Sequence, residues 1–154
     1  MAILEASEEA SAMLDVADGN FMDALNLLDR QFTTLAARAQ IVLTLCGVVV
    51  TVTGFSGRLI AGTSTTAQIL VIAGLSLSIA AAAYIQIKVM PLEWITSDMD
   101  SNRLQSLSRM IERRNLKTAA YSTGVRILLF GMIFYTVAVA IMLLNPTPMD
   151  LPVK

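Results

Sequence analysis

Three stretches of the chain, 41–55, 67–87 and 127–144, contain no charged residue, and every charge lies outside them. An α-helix rises ~1.5 Å per residue and needs ~20 apolar residues to cross ~30 Å of hydrocarbon. With their uncharged flanks, all three stretches reach or approach that length. The pattern predicts an all-α integral membrane helical bundle, a single membrane domain over 1–154. Span 1 is expected over 37–57, span 2 over 66–90 and span 3 over 119–144.

The segments between the spans also carry helical periodicity. Residues 2–36 are rich in Ala, Leu, Glu and Met and contain no proline, with a weak spot at Gly19-Asn20 where a helix can break in two. After that spot Phe21, Leu25, Leu28, Phe32 and Leu35 recur at alternating steps of four and three, a heptad seam. The seam runs without a breaker into span 1, which predicts one continuous helix. Gly54 and Gly57 are expected to end it, leaving Ser56–Ser64 as a loop, with Ser64 or Thr65 capping span 2. Pro91 disfavours helix in the residue before it and should stop span 2 at Met90.

Leu92–Ser97 then forms a short connection carrying Trp94. Asp98, Asp100 and Ser101 offer caps for a basic helix over 98–118 that runs into span 3. From Asn102 to about Leu144 no proline intervenes, so that helix should be roughly 60 Å long. Leu104, Leu107 and Ile111 give it an apolar stripe, and Asn145-Pro-Thr-Pro148 stops it ahead of a short tail.

Composition strengthens the membrane assignment. The 154 residues are 55% hydrophobic and 15% charged, whereas soluble domains carry roughly 25% charge. The first 29 residues hold seven acids and no base, so no basic-then-apolar leader is visible and Met1 is expected to begin the mature chain. Three spans place the N-terminal segment and the long second connection on one side. That side holds nine bases: Arg30, Arg38, Lys88, Arg103, Arg109, Arg113, Arg114, Lys117 and Arg126. The other side holds two, Arg58 and Lys154. The positive-inside bias puts the N-terminus in the cytoplasm and the C-terminus outside, taken here in a bacterial inner membrane. The acidic segment 1–29 and the basic segment 101–117 are complementary, so the N-terminal helix is expected to pack on the extension of span 3, in the same chain or a neighbour. Their apolar stripes would supply the energy, because exposed ion pairs contribute only ~0–1 kcal/mol each.

Three sets of residues are candidates for function. Gln40, Thr44, Gly47, Thr51 and Gly54 share one small, polar face of span 1. In an oligomer that face could line a pore with threonine rings. The packing-seam reading is favoured, since small residues let membrane helices approach and Thr hydroxyls bond back to the carbonyl one turn earlier. Gly74, Ser78 and Ala82 on span 2, and Ala120, Gly124, Gly131 and Ala138 on span 3, are small-residue rows suited to helix packing. Arg38, Lys88 and Arg126 form a basic collar near the headgroups, suited to anionic lipid or to plain snorkelling. Tyr84, Trp94 and Tyr121 lie near the same level, as an aromatic belt would.

Catalytic chemistry is not visible. The chain has no histidine, one cysteine (Cys46) and no acid inside a span, so no metal, cofactor or coupled-transport site is expected. The basic helix lacks interleaved aromatics and a glycine-rich phosphate loop, so no nucleic-acid partner is expected.

Two segments carry a resemblance. Leu28-Asp-Arg-Gln-Phe-Thr-Thr-Leu-Ala-Ala-Arg-Ala-Gln40 leads into a glycine-containing span, and Leu107-Ser-Arg-Met-Ile-Glu-Arg-Arg-Asn-Leu-Lys117 runs into a last span. This layout, over residues 28–144, resembles small bacterial multi-span membrane effectors of the SLATT and Pycsar transmembrane type. The resemblance implies an oligomeric, cytoplasm-sensing protein that permeabilises the membrane when triggered. The expectation is therefore a non-enzymatic homo-oligomer, channel-like or pore-forming. The alternative is an accessory or scaffold subunit of a larger membrane complex. Its partners would be the lipid bilayer and either itself or other membrane subunits.

Overall fold

The computed structural model describes residues 5–61, 64–91 and 102–144, and every regular element among them is a helix. They are α1 (Ala6–Val16), α2 (Phe21–Ala61), α3 (Thr65–Lys88) and α4 (Arg103–Leu144). Three of them, α2 over Phe21–Ser56, α3 and α4, are long and apolar enough to cross a membrane. Trp94, the proposed caps Asp98, Asp100 and Ser101, and the tail after Leu144 lie outside the described residues.

The break expected near Gly19 exists and has a definite geometry. The amide of Gly19 donates to Leu14 O at 2.8 Å and that of Asp18 to Asp15 O at 3.1 Å, the paired bonds of a Schellman ending. Asp18 sits at φ 49° and Gly19 at φ 75°, both left-handed. Asn20 then starts α2: its Oδ1 accepts the Met22 amide at 3.0 Å, and its Nδ2 donates to Asp23 Oδ2 at 2.7 Å. The weak spot is thus a C-cap followed directly by an N-cap.

Gly54 and Gly57 do not end α2, contrary to the expectation above; the helix continues to Ala61. Glycine inside a helix costs only about 1 kcal/mol relative to alanine and leaves the hydrogen-bond ladder intact. It terminates a helix where the backbone turns left-handed, and Gly19 is the one described glycine that does so. The start of α3 agrees with the sequence, with Ser64 Oγ accepting the Ala67 amide at 3.4 Å. At its end, the amides of Val89 and Met90 both donate to Ile85 O ahead of Pro91. Asn102 begins α4, with its Oδ1 accepting the Gln105 amide at 3.4 Å.

The chain groups into two compact units. The first comprises Met1–Ile41 and Ile85–Ser122. Its core joins Ala10 of α1, Ala24, Leu25 and Leu28 of α2, and Leu107, Met110 and Ile111 of α4, with Ala6, Met13, Leu14, Ala17, Phe21 and Phe32 packed around them. So the acidic N-terminal helix does pack on the first half of α4 within the chain. All five residues of the predicted heptad seam are buried or half-buried, whereas Leu104 at the start of the α4 stripe is exposed.

The second unit comprises Val42–Tyr84 and Thr123–Lys154. A small cluster of Cys46, Ala81 and Leu128 lies inside it, flanked by Val42, Ala82, Ile127 and Met132. Its outer surface is apolar: Val48, Val52, Phe55, Ile72, Phe130, Ile133 and Leu143 are each at least half exposed. Such a surface is a liability in water and ordinary against lipid. The hydroxyls within it are satisfied locally, with Thr53 donating to Val49 O at 2.7 Å and Thr136 to Met132 O at 2.8 Å.

Candidate functional site

The small-residue rows of α3 and α4 meet each other. A Cβ built on Gly74 would lie 2.8 Å from Gly131 O and 2.9 Å from the Tyr135 amide nitrogen. A Cβ on Gly131 would lie 2.9 Å from Gly74 O and 3.0 Å from Leu77 Cβ. Backbone therefore rests on backbone, which only glycine permits at both positions. Ser78 is fully buried at this crossing, and its hydroxyl donates to Gly74 O at 2.9 Å. Gly124 and Ala138 are buried as well, and Ala82 and Ala120 are half-buried. Of these two rows, it is Gly74 and Gly131 that the structure brings into direct backbone contact.

The α2 stripe is different. Gln40, Thr44, Gly47, Thr51 and Gly54 are all exposed. A Cβ on Gly47 or Gly54 would find nothing within 4 Å. Thr51 does bond back to Gly47 O, at 2.9 Å. Among the described residues, nothing packs against Gly47 or Gly54 of this stripe. The face of α2 that is buried is the heptad seam itself, carried onward through Ala39, Cys46, Val49 and Thr53, with half-buried Val42 between them. Counted from Phe21, every step from 21 to 53 alternates four and three. The polar stripe lies alternately one and two residues further on, about 150° around the helix from that seam. Extending the heptad beyond Leu35 would have revealed the buried face. An apolar span hides it, because nearly every position there is hydrophobic.

Of the collar, Arg38 and Lys88 are exposed in the first unit, and Arg126 is exposed in the second. Tyr84 and Tyr121 are half-buried.

Sequence reasoning missed a polar cluster in the first unit. Arg114 of α4 donates from both terminal nitrogens to Glu9 of α1, at 2.7 and 2.8 Å. It also donates to Gln31 Oε1 of α2 at 2.6 Å. Nε and Nη2 donate to Asn115 Oδ1 at 3.1 and 2.6 Å. All five guanidinium hydrogens are thereby used, and one residue ties three helices together. Lys117, one turn on, donates to Pro91 O at 2.9 Å with its Nζ 6.0 Å from the Phe32 ring centre. The opposite charges of segments 1–29 and 101–117 were the available signal; which acid met which base was not.

Among the described residues no group of three or more His, Cys, Asp or Glu is arranged to hold a metal ion. No protein-family model, no curated protein and no solved structure matches the chain.

Proposed function

We propose that this chain is a non-enzymatic, homo-oligomeric membrane protein of channel-like or pore-forming character, in which α2 lines the interface between copies. One observation carries the reading. The small-residue rows of α3 and α4 meet at Gly74 and Gly131, whereas the polar stripe Gln40–Gly54 is exposed and its Gly47 and Gly54 face open space. A face of Gln, Thr and Gly gains little from lipid tails. Turned toward other copies, it meets either small-residue packing or water, and a ring of such faces is a polar path. In this reading the N-terminus and the first unit lie in the cytoplasm of a cell with a bacterial inner membrane, following the nine-to-two distribution of bases. Permeabilisation on a cytoplasmic trigger is the corresponding activity.

The test is solute flux through liposomes together with cysteine accessibility. In a Cys46→Ser background, Thr51→Cys should react with a water-soluble thiol reagent in reconstituted oligomers. Val48→Cys, on a face that is 52% exposed, should not react, because it meets lipid. Thr51→Trp should block flux. Equal protection of both positions, with no flux under any trigger, refutes the channel.

The same exposed stripe also fits the second reading, a scaffold subunit seated against a different membrane protein. Changes in the heptad seam, such as Leu25→Asp, would disrupt the core of the first unit and so do not isolate that reading. Gly47→Leu, which enlarges the open stripe, is the informative change. Loss of a stable copurifying partner would favour the scaffold, and loss of a homo-oligomer would favour self-association.

A further inference from the structure

The junction between α1 and α2 is short and conformationally costly, and the groove that α1 fills would fit any copy of α1. We propose that α1 is exchanged between neighbouring copies, each copy's α1 docking in the α2–α4 groove of the next. This rests on the oligomeric reading above.

The groove is formed by Leu25 and Leu28 of α2 with Leu107, Met110 and Ile111 of α4, and it receives Ala10, Met13 and Leu14 of α1. The bond of Arg114 to Glu9 fixes the register of whatever helix lies there. A second copy brings the same apolar positions and the same Glu9, so exchange preserves every contact and alters only the hinge. Eleven residues are too few for a helix to stand alone in water, so α1 is ordered only when docked.

The hinge is Ala17-Asp-Gly-Asn20. In the closed chain it requires two left-handed residues in succession, and one of them, Asp18, is not glycine. Opening the turn relieves that requirement, and short, strained hinges favour exchange over self-docking. The four hinge residues span ~13 Å when extended, which exceeds the usual ~8–10 Å spacing between packed helices. The opposing factor is the entropy of a bimolecular contact. Within an oligomer the local concentration of neighbouring grooves is on the order of millimolar, which removes most of that penalty.

The experiment uses the full chain in a Cys46→Ser background carrying Ala10→Cys and Met110→Cys, reconstituted and then oxidised. Both positions belong to the same core cluster in self-docking and in exchange, so the gel separates the two arrangements. Exchange yields covalent dimers and ladders, and self-docking yields only internally linked monomer. Asp18→Gly, which eases the left-handed turn, should shift the ratio about fivefold toward internal links, and Asp18→Ala should shift it the other way. A second readout avoids cysteines. Chains bearing Glu9→Arg and chains bearing Arg114→Glu should each show rapid proteolysis at 17–20. Coexpressed, they should protect one another, because matched pairs then form only between copies. Native mass spectrometry reports the assembly separately. A stable oligomer with only internal links and no mutual protection overturns the exchange and leaves the channel reading intact, whereas a monomer removes both.

Discussion

Adding one methyl at Gly131 tests whether the α3–α4 crossing holds the second unit together. In Gly131→Ala the new Cβ would stand 2.9 Å from Gly74 O, 3.0 Å from Leu77 Cβ and 3.3 Å from the Ser78 nitrogen. Comfortable carbon contacts lie at ~3.5–4.0 Å, so the helices must part by roughly 0.5–1 Å. Two of these three atoms are backbone and cannot swing aside. A gap of that size forfeits about a quarter to a half of each dispersion contact along the crossing. The expected steric cost is ~1–3 kcal/mol. Alanine also gains up to ~1 kcal/mol of helix propensity over glycine, which must be removed from the comparison. Gly47→Ala, compared in detergent that disperses any oligomer, provides that correction, because its Cβ meets nothing within 4 Å.

Cys46 supplies the assay. It is the sole cysteine, 3% exposed inside the second unit. Maleimide labelling across an SDS titration in mixed micelles therefore reports opening of that unit. Gly131→Ala should label at lower SDS than Gly47→Ala, with a difference in opening free energy of ~1–3 kcal/mol. Gly74→Ala should behave like Gly131→Ala. The double variant should cost less than the sum, since one substitution already separates the backbones. If Gly131→Ala resists SDS as well as Gly47→Ala does, glycine-on-glycine contact is not what holds these helices.

Other outcomes follow from the first unit. Arg114→Leu should destabilise the docking of α1 by ~1.5–3 kcal/mol, more than Glu9→Gln, because it strands Glu9, Gln31 and Asn115 together; hydrogen exchange across Ala6–Val16 measures both. Leu28→Ala, at 0% exposure, should cost ~2–5 kcal/mol, while Leu27→Ala, at 38%, should stay under about 1 kcal/mol by thermal denaturation in detergent. In the monomeric, detergent-dispersed chain, where α1 docks on its own α4, Gly19→Ala, at φ 75°, should cost ~1–2 kcal/mol and speed hydrogen exchange in α1 without changing Cys46 labelling; equal hydrogen exchange in both proteins would remove the argument for a strained hinge.

Much of this protein is legible in its residues, for reasons that differ by segment. In the first unit the heptad Phe21–Leu35 stands out because polar residues separate its apolar ones, and those positions are indeed the ones covered. The start of α3 at Ser64 and its end before Pro91 follow from capping and from proline sterics. The rows through Gly74 and Gly131 were readable because small residues stand out within an oily helix. The end of α2 was misplaced because glycine composition does not report φ, and only Gly19 among the described glycines turns left-handed.

Sequence alone determined that the chain is helical and that three of its helices can cross a bilayer, because length, charge and proline placement act locally. Tertiary structure decided which faces meet. In water a buried face declares itself by being apolar. In a membrane both the buried and the lipid-facing sides are apolar, so contact is settled by shape. Shape put Gly74 against Gly131, carried the α2 seam onto Cys46, Val49 and Thr53, and left Gln40, Thr44, Gly47, Thr51 and Gly54 on an exposed face.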